Sequence, residues 1–469
     1  MTEYRRIIGW IDNRIGLSAS VLKPVPEYSL SPLYWLGALM VVAFFVQGIT
    51  GVLMLLYYVP SVDQAYSSTL FIIENVPLGW LIETLHLYSA YAMVLLAFMH
   101  LMRQYFVSAQ KRPRELMWVV GMLMGFVVLA FGLTGYLLPW TVVSKSATDV
   151  AVGMLGFLPG QLGAIARFLV AGSGSDGSEL LRFFALHIVA LPGVLLILLG
   201  VKMYMFEVHG AIEPPAGVRS GTRSIPWFPD ALLYLAMICS VFLASLLAAS
   251  ILFPLSLPPQ FSPETAASFA PQPDWYFLWL YQILKFVSFE GTGIIYALVA
   301  VPIIFAVMTL LPFFDKGKER RLGQRPVYVT IGVIMVAELI VLTIWGYMTP
   351  GQVISDLQAI LVIGGTALVV VILSWAMYRR RKQVKPASSG SGSLLAAVLE
   401  RLPILTIVFA LLLAMASVTI ASSVDLVSSS SSNPLLLASS LVLSAFSLYF
   451  MARILRGLVA AGSFRVKSP

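Results

Sequence analysis

The sequence is poor in charged residues. Only 11% of its 469 residues are charged, far below the roughly 25% that is usual in soluble domains. Hydrophobic residues make up 59% of the chain, and the mean hydropathy is +0.89. This composition excludes a soluble globular domain and predicts a protein that lies in lipid.

Cysteine is almost absent, since Cys239 is the single one in the chain. One cysteine excludes an intramolecular disulfide, a cysteine-ligated iron–sulfur cluster and the Cys-x-x-Cys-His attachment of c-type haem. Cys239 lies within a long apolar segment, where a lone thiol usually packs as a small hydrophobic side chain. We therefore expect it to be chemically inert.

Long apolar segments recur along the whole chain. A helix needs about 20 apolar residues to cross a hydrocarbon layer of ~30 Å. The first segment is too long for a signal peptide, and no small-residue cleavage site follows it. The sequence thus predicts an all-α, polytopic membrane helical bundle. The ten predicted spans are residues 33–59, 78–104, 116–140, 183–206, 230–254, 291–313, 327–348, 355–378, 402–423 and 433–455.

Lysine and arginine are unevenly distributed among the segments that join these spans. Of the 30 basic residues, 26 fall on the side that holds both termini. By the positive-inside rule this distribution predicts a multi-pass protein of a prokaryotic cell membrane with both termini in the cytoplasm. The net charge of +8 follows from this orientation and requires no nucleic-acid partner.

Two long extracytoplasmic segments, 141–182 and 253–290, are predicted to share one face of the membrane. Connections of this length usually carry function or bind a partner. On the cytoplasmic side, residues 379–393 are predicted to form a linker to a C-terminal part, 394–469, with two additional spans. These two spans hold no residue suited to chemistry, so we expect them to serve in packing.

Histidine is also scarce, and two of the four histidines lie fourteen residues apart in the second span. Fourteen helical steps return within about 40° of the starting face and rise ~21 Å, so His86 and His100 face the same way at two depths. For one histidine alone, an ordinary core residue is the stronger alternative. A third, His187 in the fourth span, favours metal ligation, with His86 and His187 as axial ligands of one haem.

The position opposite His100 is occupied by Lys202, fifteen residues after the histidine of the fourth span. Pro192 removes a backbone hydrogen bond, so a bulged turn can accommodate the extra residue. We therefore predict Lys202 as the fourth axial ligand. The alternatives are a lysine that reaches the cytoplasmic surface or a haem propionate, and a substitute ligand such as Met203 or Met205.

Glycines in the neighbouring spans repeat the fourteen-residue interval. Gly37 and Gly51 lie in the first span, and Gly121 and Gly135 lie in the third. A missing side chain lets a flat macrocycle approach the helix backbone. Glycine is also common in membrane helices for close packing, so one pair alone carries little weight. The shared interval predicts two non-covalently bound haems in a four-helix bundle formed by residues 1–210.

Four separated motifs resemble the cytochrome b family. The stretch KRPRELMWVVGMLMGFVVLAFGLTGYLLPW at 111–140 is similar to its third-helix region, and PDWY at 273–276 is similar to its quinol-oxidation signature. HIVALP at 187–192 and PWFPDALLY at 226–234 resemble the chloroplast-type branch. The resemblance covers about residues 30–378, with a subunit-IV-like half at 211–378 in the same chain.

This resemblance implies quinol oxidation within a cytochrome bc-type electron-transfer complex. Quinol is expected to bind on the extracytoplasmic side near PDWY. One electron then leaves to a Rieske iron–sulfur protein, and the other crosses through two haems, of b type or a variant, to a cytoplasmic quinone site. Further implied partners are a downstream acceptor or terminal oxidase subunits, membrane lipid and a second copy in a homodimer.

At the quinol-oxidation signature, Asp274 is the expected acceptor of a quinol proton. Its alternative role is that of an ordinary acid in a loop or at a helix N-terminus. The surrounding side chains that favour the catalytic role are Pro273, Trp275, Tyr276 and Tyr281.

Four further polar residues have expected roles next to the haems. Arg182 matches a family arginine that pairs with haem propionates, and its alternative role is an interfacial anchor. Arg114, Glu207 and His209 are expected near the outer edge of the cytoplasmic-side haem, where quinone reduction needs proton donors. For each of these three, a solvated charge next to the membrane is the alternative.

The sequence departs from the family in three places. Lys202 replaces the family's fourth histidine, and Glu83 stands where an arginine is usual. The chloroplast-type branch binds an extra haem through a cysteine near the first span, but Trp35 occupies that region here. We therefore do not expect this covalent haem.

Two other protein classes compete with this interpretation. A di-haem anchor of a dehydrogenase or hydrogenase also places histidine pairs on helices, but it does not explain PDWY. A secondary transporter fits ten spans, but no half-to-half repeat with broken helices is visible in the sequence. A reduced-minus-oxidised spectrum separates these classes, because a transporter has no haem bands.

Overall fold

The structure, a computed structural model, describes most of the chain up to residue 383. The described residues are 9–10, 12–14, 24–26, 29–155, 157–158, 161–172, 178–210, 212, 224–267, 269, 272–286, 288 and 294–383. The predicted spans 402–423 and 433–455, and most of the linker at 379–393, lie outside these residues.

The described part of the chain is almost entirely helical. Its α-helices are α1 (Leu36–Leu55), α2 (Ala65–Asn75), α3 (Gly79–Phe106), α4 (Glu115–Leu137), α5 (Val142–Leu155), α6 (Gln161–Ala171), α7 (Ser178–Ala185), α8 (Leu191–His209), α9 (Leu232–Leu252), α10 (Pro263–Ala267), α11 (Leu278–Leu284), α12 (Ile294–Thr309), α13 (Leu311–Phe314), α14 (Pro326–Met348), α15 (Asp356–Ala359) and α16 (Gly365–Gln383).

Shorter elements connect or extend these helices. The 3-10 turns are Pro32–Trp35, Trp275–Phe277 and Leu322–Gln324, and the π-helical turns are Leu186–Ala190, Trp227–Ala231 and Ile360–Gly364. Two short strands, β1 (Pro24–Pro26) and β2 (Ser224–Pro226), pair antiparallel with Val25 opposite Ile225.

Seven helical stretches among the described residues are long and apolar enough to cross a membrane. They are Pro32–Leu55, Gly79–Phe106, Glu115–Leu137, Ser178–His209, Trp227–Leu252, Pro326–Met348 and Asp356–Ala376. These stretches confirm the predicted all-α membrane fold. The predicted sixth span is shorter than expected, because α12 has 16 residues and is ~24 Å long. Pro312 cannot donate a backbone hydrogen bond, and the helix ends three residues before it.

The chain divides into two compact units. The first comprises Met1–Gln104, Val119–Trp140 and Leu180–Pro258, and the second comprises Tyr105–Trp118, Thr141–Glu179 and Pro259–Pro469. The first unit therefore contains α1, α8 and α9 together with most of α3 and α4.

Apolar side chains of the first unit pack between its helices. Leu36 and Leu39 of α1 form a buried cluster with Leu96 of α3. The half-buried Cys239 of α9 packs against this cluster, as expected for a lone thiol that serves only in packing.

In the second unit, the two long segments predicted to share a face lie in contact. Thr141 forms an isolated antiparallel bridge with Gln260, and the Val142 N–H donates to the Pro259 carbonyl at 2.9 Å. Lys145 forms a salt bridge with Glu179 at 3.0 Å. The described residues of segment 141–182 are largely helical, whereas segment 253–290 contains the short helices α10 and α11 and the 3-10 turn Trp275–Phe277.

Buried charges hold the turn between α3 and α4 in the second unit. Lys111 lies 3.2 Å from Asp315 Oδ1, and Arg325 pairs with Oδ2 of the same carboxylate. Gln110 Nε2 donates to this carboxylate at 2.8 Å. One carboxylate with a side chain only 2% exposed therefore pairs with two buried cations.

Candidate haem sites and quinol-site segment

His86 of α3 and His187 of the fourth span lie opposite each other in the first unit. Their ring centroids are 6.4 Å apart, with 62° between the ring planes. Imidazole nitrogens that bind one metal at about 2 Å each place the two ring centroids about 6 Å apart. The separation therefore suits two axial ligands of one iron.

A buried threonine orients each of these two imidazoles. Thr50 Oγ1 lies 2.8 Å from His86 Nδ1, and Thr134 Oγ1 lies 3.1 Å from His187 Nδ1. Both hydroxyls donate to the carbonyl four residues earlier, at 2.7 and 2.8 Å. Since the hydroxyl hydrogen is used there, the oxygen accepts from Nδ1–H, and Nε2 keeps the lone pair that iron requires.

The π-helical turn Leu186–Ala190 contains His187 and ends two residues before Pro192. The Leu191 N–H donates to the Leu186 carbonyl, which is the five-residue hydrogen bond of a π-turn. Such a turn accommodates one extra residue, so the fifteen-residue step to Lys202 covers the depth of an ordinary fourteen-residue step. The bulged turn predicted near Pro192 is therefore present.

Each glycine of the repeated interval lies against one ligand candidate. The distance from a Cβ built on the glycine to the nearest atom of the candidate is 3.3 Å for Gly51 and His86, 3.4 Å for Gly37 and His100, 2.5 Å for Gly135 and His187, and 3.0 Å for Gly121 and Lys202. Lys202 therefore has the same position relative to Gly121 as His187 has relative to Gly135. The four candidates form two levels with matching surroundings.

The surroundings of His100 differ from those of His86 in two respects. Gln104 Nε2 lies 3.3 Å from His100 Nε2. Among the described residues, the buried Nδ1 of His100 has no hydrogen-bond partner. Leu36 precedes Gly37 and Val120 precedes Gly121, at the positions that threonines occupy on the other level. A buried polar atom without a partner is rare in proteins. The donor set and the glycine contacts fit a haem at each level.

The PDWY segment forms the 3-10 turn Trp275–Phe277 before α11 in the second unit. Asp274 Oδ1 accepts from the Trp275 N–H at 3.1 Å and so caps this turn, which is the alternative role expected from the sequence. Tyr276 is buried, and its ring lies edge-on to Trp275 with 5.5 Å between the centroids. The half-buried Asp274 and Pro273 lie at the start of this aromatic turn.

Side chains around this segment bind the C-terminal end of α14 and the turn that follows it. Gln272 donates to the carbonyls of Gly346 and Tyr347, which have no partner within the helix. The other contacts are Gly351 N–H to the Tyr281 hydroxyl at 2.9 Å, Thr349 Oγ1 to Gln282 Oε1 at 3.3 Å, and Lys285 Nζ to Thr349 Oγ1 at 2.8 Å. Tyr281 therefore lies at this junction.

Lys285 is the cation nearest to these aromatic rings in the described part of the segment. Its Nζ lies 4.8 Å from the ring centroid of Tyr281 and also donates to the Thr349 carbonyl. Burial lowers the pKa of Lys285 to about 8, because it disfavours the charged form.

The remaining predicted residues lie at the helix ends. Glu207 and His209 are exposed at the C-terminal end of α8, and Arg182 is half-buried in α7, five residues before His187. Arg114 belongs to the second unit and is 8% exposed. The roles of these four residues stay predictions.

Sequence reasoning did not single out Thr50, Thr134 or Gln47. Each threonine directly precedes a glycine of the repeated interval, so a Thr-Gly dipeptide in the sequence could have indicated these threonines. Gln47 donates to the His86 carbonyl and, at 2.5 Å, to Ser89 Oγ. Gln47 could have been identified as a polar side chain inside an apolar span.

Two protein-family models match this chain. Residues 21–210 match the family described as Cytochrome b/b6/petB, and residues 265–364 match the one described as Cytochrome b(C-terminal)/b6/petD. The first match contains the four ligand candidates, and the second contains the PDWY segment.

Curated proteins and a solved structure are similar over most of the chain. The cytochrome bc complex cytochrome b subunit of Chlorobaculum thiosulfatiphilum is 32% identical over 347 residues, which are 72% of this chain and 80% of that protein. Cytochrome b of Sulfolobus acidocaldarius is 30% identical over 426 residues, 82% and 74% of the two chains. A chain of a hyperthermophilic respiratory Complex III aligns with a TM-score of 0.63 and 27% identity, over 79% of this chain and 96% of that one.

Proposed function

The chain belongs to the cytochrome b family, and we propose that it oxidises quinol on the extracytoplasmic side of the membrane, beside the PDWY segment. The chain is a multi-pass subunit of a quinol-oxidising bc-type complex. Oxidation of one quinol releases two protons and two electrons. One electron passes to a Rieske iron–sulfur partner, and the other passes through the four-helix bundle toward a cytoplasmic quinone site.

Residues of the first unit would hold two haems without covalent attachment. His86 and His187 would hold the haem nearer the extracytoplasmic side, and His100 and Lys202 would hold the haem nearer the cytoplasm. When bound, the haems supply the one-electron carriers between the two quinone sites. The observation that carries this proposal is that each ligand candidate lies against a glycine.

Asp274 is proposed to accept a proton from quinol. A carboxylate can do so if it lies within hydrogen-bond reach of the quinol hydroxyl. The hydrogen bond from the Trp275 N–H orients this carboxylate at the start of the turn. Trp275 and the buried Tyr276 directly follow Asp274 in the turn, and their ring centroids lie 5.5 Å apart.

On the cytoplasmic side, Glu207 and His209 are proposed to supply protons to bound quinone, and Arg114 is proposed to bind near the same haem edge. The exposure of the first two side chains at the end of α8 favours exchange of protons with water. Arg182 is proposed to pair with a propionate of the extracytoplasmic-side haem. Its position five residues before His187 supports this role.

The proposed setting is a prokaryotic cell membrane, with both termini in the cytoplasm and a second copy in a homodimer. The distribution of 26 of the 30 basic residues on one side supports this orientation. A downstream acceptor or terminal oxidase subunits and membrane lipid complete the proposed partners.

Replacement of Asp274 by Asn tests the proposed proton path. We expect quinol oxidation by the purified complex to slow by about 100-fold or more, with both haems retained in the spectrum. Glu264→Gln is the matched control, because Glu264 is an exposed acid in the same extracytoplasmic segment. Unchanged turnover of Asp274→Asn across the pH range would remove Asp274 from the proton path.

A further inference from the structure

We propose that Thr50 and Thr134 are positioning residues that lower the reduction potential of the haem held by His86 and His187. The inference rests on the proposed function, because it requires a haem at each level.

The two threonines have the same geometry on opposite sides of one site. They lie on α1 and α4, one residue before Gly51 and Gly135, and both are buried, with 4% and 5% exposure. Their oxygens lie 2.8 and 3.1 Å from the imidazole nitrogens. Each of the two imidazoles therefore has a threonine hydroxyl at its Nδ1, and His187 also has a hydrogen bond with the Phe131 backbone.

This hydrogen bond changes the donor strength of the imidazole. An oxygen that accepts the Nδ1–H draws the proton away from the ring, which makes Nε2 a more basic ligand. Each hydroxyl also donates to a backbone carbonyl, and such chains of hydrogen bonds strengthen one another. A more basic ligand stabilises ferric over ferrous iron, so the reduction potential falls.

The second level lacks this arrangement among the described residues. The Nδ1 of His100 has no partner there, and the fourth ligand candidate, Lys202, has no Nδ1–H to donate. Leu36 and Val120 occupy the positions that precede the two glycines. The threonine hydrogen bonds therefore act on the first haem alone.

The test is a potentiometric titration of the purified complex that follows the absorbance of each haem. In Thr50→Val and Thr134→Val, which keep the shape and lose the hydroxyl, the midpoint potential of the first haem should rise. The double variant should raise it further, and the second haem should not change. Thr50→Ser should leave the potential closer to the wild-type value than Thr50→Val does, because serine retains the hydroxyl oxygen.

Thr69→Val is the matched control. The Thr69 hydroxyl is buried and donates to the Ala65 carbonyl at 2.8 Å, which is the same bond within a helix turn, but this residue belongs to neither haem site. Both midpoint potentials should stay at their wild-type values in this variant.

A reverse variant keeps the inference testable if the valine variants lose haem. Gly37 and Gly51 have almost equal distances to the Cε1 and Nδ1 atoms of their histidines. A hydroxyl introduced by Leu36→Thr should therefore meet His100 Nδ1 as Thr50 meets His86, and lower the potential of the second haem.

Three results would separate the inference from the proposed function. Unchanged potentials in the double valine variant with both haems bound, or an unchanged or raised second-haem potential in Leu36→Thr, would overturn the inference alone. A wild-type complex in which this chain binds no haem would overturn the proposed function itself.

Discussion

Lys202 is the residue at which this chain departs from a set of four histidine ligands. It lies against Gly121 as the histidines lie against their glycines, and the π-helical turn places it at the required depth. Only an unprotonated amine can donate a lone pair to iron, so binding must displace a proton from the side chain.

The ligand role of Lys202 predicts two spectra. Lys202→His should give the second haem a bis-imidazole, low-spin spectrum, whereas Lys202→Ala should leave a five-coordinate, high-spin haem. Absorption and electron paramagnetic resonance spectra of the purified complex measure both. A second haem that stays low-spin and six-coordinate in Lys202→Ala would contradict lysine ligation. The buried Met205 would then be the first replacement to examine.

The sequence predicts the four ligand candidates because helical spacing alone places them on common faces. The threonines that orient the imidazoles are not predicted, since their contacts join residues 36 and 53 positions apart in the chain. For Asp274 the sequence predicts only part of the arrangement. The PDWY motif identifies the segment, but the hydrogen bond from the Trp275 N–H to the Asp274 side chain is visible only in the structure.

At the scale of elements, the contact between α11 and α14 determines the position of the quinol-site segment. A Cβ on Gly346 would lie 2.6 Å from the Leu278 carbonyl oxygen, which is closer than packed atoms allow. Any side chain at this position must therefore displace α11, which directly follows the PDWY turn.

Gly346→Ala should consequently impair quinol oxidation and leave the haem spectra unchanged. A displacement of about 1 Å at a reacting site can lower the rate by about 100-fold. Gly365→Ala on α16 is the control, because a Cβ there has no neighbour within 4 Å among the described residues. Wild-type turnover of Gly346→Ala in a quinol-oxidation assay would show that this contact does not position the site.

The buried charges at the turn between α3 and α4 make a prediction about stability. Burial and the nearby Arg325 lower the pKa of Lys111, although Asp315 opposes this shift. Asp315→Ala would leave both cations without their carboxylate, which costs about 3–5 kcal/mol of unfolding free energy. The thermal stability of the purified complex should fall accordingly.

Glu115→Ala provides the comparison for this charge cluster in the same turn. Glu115 pairs at 3.2 Å with Arg112, whose side chain is 94% exposed. An exposed pair of this kind contributes about 0–1 kcal/mol. Equal losses of stability in Glu115→Ala and Asp315→Ala would contradict the burial argument.

Element boundaries follow the apolar pattern where a span has no internal proline, as in α3 and α14. The sixth predicted span is interrupted rather than continuous, because α12 ends at Thr309 and the short α13 follows from Leu311 to Phe314. The helices of the two long segments are also missing from the sequence-based prediction. Contacts such as Thr141 with Gln260 depend on residues far apart in the chain.

For the whole molecule, the family resemblance seen in separated motifs is confirmed on both halves of the chain. The four ligand candidates belong to the first compact unit, and the PDWY segment belongs to the second. Substitutions in one unit are therefore expected to separate haem binding from quinol oxidation.

The two-haem assignment is tested most directly by a potentiometric titration of the purified full-length protein, with the ratio of haem to protein measured on the same sample. The ligand set predicts two haems per chain and two separate one-electron transitions. Lys202→Ala should change the spectrum of one transition only. One haem per chain with a single transition, or no haem, would contradict the assignment.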